Sequence, residues 1–384
     1  MIIFAPENLK PETTDSKSMN KRTFLTTLMG MTIAVMACAK TQTDTDKSKY
    51  QLCNKNATQE TQHVFDVLKQ LYGTHIISGA CCNIDWNIRE AENVYKWTGR
   101  WPALNMFDFM QIHASKDVNS KGWVDYSDDQ VVRDWWKQGG LVSIMWHWQV
   151  PANNGTDLTC TPGSAPGATS FDATKVVIPG TQENKLAMKQ MSQVAGYLKK
   201  LQKAKIPVLW RPYHEAAGNT YEYSGGGAWF WWGAKGSEAF KALWRFTYDY
   251  LVNKQGLNNL IWVWTSQTSD HDWYPGDDVV DIVARDSYYA LQYPMMKDFQ
   301  ELTTTYPTKM ITLAECGNGD DVDIAPLQKI WEQGARFSWY MPWYDASYNK
   351  GEETEHQFAG EQWWRDAFAL PYVVTREQMK GMLK

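Results

Sequence analysis

Short runs of consecutive apolar residues lie at 74–78, 102–107, 141–147, 207–211, 260–264, 281–284, 310–314 and 337–342. They alternate with longer stretches whose apolar positions recur every three to four residues. The runs are too short for amphipathic helices and too continuous for half-exposed strands, so they read as strands buried on both faces. The stretches at 58–72, 90–98, 128–138, 183–203 and 237–252 read as helices with one buried stripe. Strand, helix, strand, repeated eight times, predicts a parallel sheet closed into a (β/α)8 TIM barrel. A doubly wound open sheet has the same alternation, but no glycine-rich GxGxxG turn follows the first run.

The connections are unequal. Those entering strands are short: Gly139-Gly140, 204–206 and 256–259. Those leaving strands are long: 149–182 after the third, 216–235 after the fourth and 344–361 after the eighth. In a barrel the segments leaving the strands gather on one face, and function sits there.

The N-terminus departs from this alternation. Met19-Asn20-Lys21-Arg22 opens a basic stretch, and 24–37 is apolar but short for a bilayer span. Val35-Met36-Ala37-Cys38 resembles a bacterial lipobox, which would make Cys38 the lipidated first residue of the mature chain. A plain secretory signal with an incidental cysteine is the alternative. Residues 1–38 are therefore expected as a signal peptide, with 1–18 upstream of a start at Met19. Residues 39–57, rich in Thr, Asp and Lys, are expected as a flexible tether, and 58–384 as the catalytic barrel. This places the protein in a bacterial cell envelope, joined to the membrane only through the lipid. Ala39 after the cysteine is compatible with the outer membrane.

Composition narrows the chemistry. Net charge is −5, and no basic block or stripe suggests nucleic acid. Tryptophan is abundant, at 21 of 384 residues, which serves a core and equally suits sugar rings, whose C–H faces lie flat on aromatics. Cys53, Cys81, Cys82, Cys160 and Cys316 contain no CxxC pair and no zinc spacing, and five thiols cannot all pair. Asp320, Asp321 and Asp323 lack EF-hand spacing and read as the cap of a following helix. No phosphate-binding loop or nucleophile elbow is present, and neither a metal nor a cofactor is expected.

Two segments carry the candidate chemistry. Trp210-Arg211-Pro212-Tyr213-His214-Glu215 and Ile311-Thr312-Leu313-Ala314-Glu315 each run from an apolar strand to a glutamate. A lone buried Glu is usually a structural ion-pair partner. Two at strand ends over one mouth supply the acid and the nucleophile that a glycoside hydrolase needs.

Residues 210–215, followed by Gly227-Ala228-Trp229-Phe230-Trp231-Trp232-Gly233, resemble glycoside hydrolase family 26, chiefly β-mannanases. The resemblance covers residues 60–370. It implies a (β/α)8 barrel that cuts β-1,4-mannosidic linkages in mannan, galactomannan or glucomannan with retention, Glu215 serving as acid/base and Glu315 as nucleophile. It further implies substrate contacts at His147, His214, Trp229, Asp286, Tyr288 and Trp343. By it, Tyr288 hydrogen-bonds the nucleophile and Trp343 floors the sugar beside the cleavage point. His147 between two tryptophans also suits a satisfied core histidine, and Arg211 a structural ion-pair partner. Two departures from the family pattern stand out: the long segment 216–228 before Trp229, and Tyr344 where many family mannanases carry an arginine. Xylan or mixed-linkage β-glucan, release of mannobiose from a chain end, and glycan binding without catalysis remain as alternatives.

Overall fold

The computed structural model describes residues 46–83, 85–115, 124–288, 292–317, 324–345, 356 and 358–384. Cys38 and the three aspartates at 320–323 fall outside them. Eight parallel strands run in chain order: β1 Ile76–Cys81, β2 Leu104–Asp108, β3 Leu141–Trp146, β4 Val208–Pro212, β5 Leu260–Ser266, β6 Ile282–Ser287, β7 Met310–Cys316 and β8 Trp339–Tyr340. Each pairs with the next through β7, and β8 pairs with β1 at Ile77–Trp339 and Ser78–Tyr340. Backbone bonds from Cys316 N to Met341 O (2.9 Å) and from Ser338 N to Ile311 O (2.8 Å) join β7 to β8 and complete the (β/α)8 barrel.

Alternation along the strands sorts side chains into two layers. Ile77, Cys81, Leu104, Met106, Leu209, Ile261, Val263, Ile282, Ala284 and Met310 form one buried cluster, which is the barrel interior. Ile76, Ala80, Ile144, Val208, Trp210, Trp262, Val283 and Ile311 belong to a second cluster, shared with helix residues such as Val94, Val194, Leu198 and Leu243. The tryptophan excess is spent largely here: Trp135, Trp146, Trp148, Trp210, Trp231, Trp232, Trp244, Trp262 and Trp264 are all fully buried.

The helices on the outside are α1 Gln59–Leu71, α2 Arg89–Thr98, α3 Gln130–Lys137, α4 Gln182–Lys203, α5 Ser237–Tyr248, α6 Gln292–Thr305, α7 Leu327–Glu332, α8 Glu361–Ala369 and α9 Arg376–Met382. Side-chain caps define their starts. Thr58 Oγ1 accepts from Thr61 N before α1, Thr181 Oγ1 from Asn184 N before α4, and Thr375 forms a capping box with Gln378 before α9. Among the described residues no helix is long and apolar enough to cross a membrane.

Two features differ from the sequence expectation. Between β5 and β6 only a single 3₁₀ turn, His271–Trp273, replaces a helix. The chain packs before residue 58: Tyr50 and Leu52 are buried with α1, and Cys53 N donates to Asp281, so 46–57 do not behave as a tether. All five cysteines among the described residues are free thiols, four of them buried.

Candidate active site

β4 and β7 end at the same mouth and present their glutamates by different backbone devices. On β7, Arg285 pairs with Leu313 but Asp286 pairs with Glu315, so Ala314 is an extra residue. This β-bulge turns Glu315 into the barrel behind Ala314, where strict alternation would have sent it outward. On β4 the strand stops at Pro212, and Tyr213 (φ 54°) and Glu215 (φ 50°) both adopt the left-handed conformation. Each such residue costs on the order of 1–2 kcal/mol. The turn is held by the Tyr213 hydroxyl at 2.8 Å from Thr247 Oγ1, by Trp232 Nε1 donating to His214 O (3.0 Å), and by Gly218 N donating to Glu215 O (3.0 Å).

One carboxylate oxygen from each of Glu215, Asp286 and Glu315 lies within 4.8 Å of the other two. The three are buried, with Glu215 8% exposed and Glu315 2%. Arg211, inward-facing on β4 and fully buried, sits among them. Its Nη1 donates to Glu315 Oε1 at 2.6 Å, its Nη2 pairs with Asp286, and its Nε donates to Thr265 Oγ1 at 2.9 Å. Burial alone would lower the guanidinium's pKa, but Asp286 and Glu315 outweigh it and raise it. The remaining oxygen of Glu315, Oε2, accepts from the Tyr288 hydroxyl at 2.6 Å.

Glu215 has no such partner. Burial, followed by the charges of Asp286 and Glu315, pushes its carboxyl well above the usual range, against a smaller opposing effect of Arg211. The Gln267 carboxamide, just past β5, also favours the ionised form. It lies close to Glu215 without reaching full hydrogen-bond geometry, since Gln267 Nε2 is buried with no partner. Burial likewise raises Asp286 despite the guanidinium beside it.

The histidines line the same wall. His147, just past β3, has Nδ1 at 2.5 Å from Asp108 Oδ2, and its backbone N donates to Asp108 Oδ1 at 3.3 Å. The Asp108 contact holds a ring proton on Nδ1 and fixes the orientation of the imidazole. His214 packs edge-on to His147 at 4.2 Å between ring centroids. Burial, then His147, then Arg211 lower His214 well below the ordinary value, so it is neutral at neutral pH. Trp343 lies just beyond β8, half-buried, its ring 6.4 Å from that of Tyr288. Tyr344 is buried beside it at 5.0 Å.

The structure thus gathers Glu215, Glu315, Asp286, Tyr288, His147, His214 and Trp343 at one mouth. Trp229 fits less well. Among the described ring contacts the neighbour of both histidines is Phe230, at 6.0 Å from His147 and 5.0 Å from His214, while Trp229 packs half-buried against the outer cluster. Arg211 sits between the carboxylates rather than below the site. Asp108, Gln267 and Phe230 were not singled out by the sequence; only the position of Asp108 at the end of a strand could have pointed to it.

A parallel barrel that sets two close glutamates at one mouth, one just past its fourth strand and one on its seventh, has the arrangement a glycoside hydrolase needs. The profile of Glycosyl hydrolase family 26 matches residues 53–376, and the chain belongs to that family. It is 33% identical to a mannan endo-1,4-beta-mannosidase of Thermothelomyces thermophilus, over 86% of this chain and 63% of that one. It is 28% identical to a mannan endo-1,4-beta-mannosidase of Bacillus subtilis strain 168, over 78% and 84% of the two chains. The GH26 domain of a Prevotella bryantii endo-beta-mannanase/endo-beta-glucanase superposes with a TM-score of 0.77 at 36% identity, covering 85% of this chain and 98% of that domain. A beta-mannanase from a symbiotic protist of the termite Reticulitermes speratus, solved with a gluco-manno-oligosaccharide, gives 0.70 at 29% identity, over 86% and 97%. The chain spans only 63% of the length of the Thermothelomyces relative and 49% and 44% of two Piromyces mannan endo-1,4-beta-mannosidases, B and A.

Proposed function

We propose that this protein cuts β-1,4-mannosidic linkages inside mannan, galactomannan or glucomannan with retention of configuration. The observation that carries this reading is the unlike setting of two adjacent glutamates. One oxygen of each lies within 4.8 Å of an oxygen of the other, a closeness that favours direct attack over the wider pair that holds a water between its carboxyls. Glu215, its pKa raised, is the proton donor to the leaving glycosidic oxygen. Glu315, both oxygens fixed by Arg211 and Tyr288, attacks the anomeric carbon. Glu215, now ionised, then takes a proton from the water that releases the sugar from Glu315. Neutral His214 orients Glu215 and contacts sugar, as do His147 and Trp343. The mannan substrate is supported by the activities named for the relatives and by the gluco-manno-oligosaccharide in the protist enzyme.

Azide rescue with an activated aryl β-mannobioside tests the roles. Glu215→Ala should yield the β-azide and Glu315→Ala the α-azide; exchanged products would reverse the assignment. Product sizes from galactomannan, glucomannan, xylan and mixed-linkage glucan test the substrate and separate internal cutting from mannobiose release.

We also propose that Cys38 carries a lipid anchor in the outer membrane, from the Val35-Met36-Ala37-Cys38 motif behind an apolar stretch. Incorporation of labelled palmitate into the wild type, equalled by Cys38→Ser, would sink this.

A further inference from the structure

We infer that the segment 216–228, which follows Glu215, forms a sugar-binding position on the leaving-group side of the cleft, with the Tyr223 ring as its platform. The inference rests on the function proposed above. The general acid stands beside the leaving oxygen, so the chain immediately after Glu215 flanks the departing sugars. The opposite wall, with Glu315, Tyr288 and Trp343, holds the sugar that is attacked.

The segment is a built surface. It folds back on itself through backbone approaches that leave no room for a side chain: a Cβ on Gly218 would meet Gly227 O at 2.4 Å, and one on Gly226 would meet Asn219 O at 2.1 Å. Asn219 is buried at the centre of this fold. Its Oδ1 accepts from Gly227 N at 2.9 Å, and its Nδ2 donates to the Tyr223 hydroxyl at 2.6 Å. Tyr221 ties the segment to the chain leaving β5: its hydroxyl donates to the Asp272 carboxylate (2.8 Å) and accepts from Trp273 Nε1 (3.4 Å).

What this scaffold displays is an aromatic surface. Tyr223 is 56% exposed and Tyr221 44%, and these are two of the five large exposed apolar side chains among the described residues. A tyrosine whose hydroxyl is pinned by a buried amide while its ring faces water loses little further freedom on binding. Polar groups stand alongside, Glu222 with Thr268 and the Asp272 carboxylate, to receive sugar hydroxyls. An apolar face flanked by carboxylates and a hydroxyl is the chemistry that recognises a pyranose.

The test compares substrates that do and do not reach past the first leaving-side position. Wild type, Tyr223→Ala and Tyr223→Phe are assayed on whichever polysaccharide of the panel the wild type cleaves, and on the activated aryl mannobioside, whose leaving group is a single ring. Tyr223→Ala should lower kcat/KM on the polysaccharide by roughly three- to tenfold, the worth of one aromatic stacking contact. It should leave the aryl glycoside within about twofold. Tyr223→Phe, which keeps the ring but loses the hydroxyl that Asn219 holds, should lose less than Tyr223→Ala on the polysaccharide and match the wild type on the aryl glycoside. Equal losses on the two substrates, or no loss on either, would overturn the inference while the proposed function stands. A wild type that releases nothing from any glycan of the panel overturns both.

Discussion

The ends of β4 and β7 bring the same residue type to the same mouth and make opposite groups of it. Glu315 arrives through a bulge that adds one residue to a strand, and both its oxygens are held, by Arg211 and by Tyr288. Glu215 arrives through a turn with two left-handed residues, and burial beside two other carboxylates drives it toward the protonated form. The lesson is that chemical role here follows from neighbours rather than from residue type. A single cation, Arg211, supplied from the strand that carries Glu215, is oriented toward the other glutamate. That allocation separates the pair.

Removing the cation should break the comparison outright. Arg211→Met keeps the aliphatic stem and leaves Asp286 and Glu315 buried face to face. We expect about 3–5 kcal/mol of lost stability at neutral pH, the usual cost of stripping one partner from a buried pair. Polysaccharide cleavage should fall by at least roughly 10²–10³-fold, as for loss of a preorganised charge in an active site. Thermal unfolding and steady-state assays read both. An Arg211→Met protein as stable as wild type would mean that the two carboxylates share a proton and do not need the guanidinium.

The second way acts on the other glutamate and has the opposite sign. Glu215 titrates higher in the folded chain than its ordinary value of 4.5, so the folded state holds a proton that the unfolded state releases. Stability is therefore lost as pH rises from that ordinary value through the folded one. Glu215→Gln is always neutral and escapes the loss. Its unfolding free energy should match the wild type at pH 4 and exceed it increasingly as pH rises, by about 1.4 kcal/mol per unit of raised pKa at full effect, read by denaturant unfolding at each pH. A gain that shrinks with pH would show that Glu215 is not the raised group, and would move the acid role to Asp286.

The barrel was legible in the sequence because buried parallel strands read as continuous apolar runs, and the long exit segments named the working face. The strand ends were not. The expected runs stopped at Ala284 and Ala314, whereas β6 continues through Asp286 to Ser287 and β7 through Glu315 to Cys316. Hydropathy ends a strand where polar residues begin, yet at this mouth polar residues are the last ones in the ladder. The bulge at Ala314 is equally silent, because nothing in Thr312-Leu313-Ala314-Glu315 marks an extra residue until the partner strand is paired. His147, His214 and Tyr288 came from the resemblance to family 26 rather than from periodicity, and the structure brings all three to the mouth. Phe230, next to Trp229 in the same aromatic run, is the ring packed beside both histidines, a placement that the long segment 216–228 hides from any periodicity. Residues 46–57 read as a tether on composition, but Tyr50 and Leu52 are two apolar anchors in a polar stretch, enough to lay it against α1.

The smallest expected effect concerns Gln267, which sharpens the comparison by tuning Glu215 alone. Asp270 fixes the turn that carries it: its Oδ2 accepts from Gln267 N and its Oδ1 from Ser266 Oγ, both at 2.7 Å. Burial raises Asp270 to about 7, against the hydrogen bonds from Gln267 and Ser266. The Gln267 carboxamide is thus held beside Glu215 with a spare buried donor, Nε2. That donor has most to offer once Glu215 has given its proton away, since an ionised carboxylate accepts more strongly than a neutral one. Gln267→Leu keeps the bulk and deletes the donor, so Glu215 should hold its proton to higher pH. The alkaline limb of kcat/KM, which reports the acid in the free enzyme, should move upward by less than about one pH unit, the equivalent of one modest hydrogen bond. The acidic limb should stay. An alkaline limb that moves down, or moves together with the acidic one, would place Gln267 among the groups that merely hold the turn.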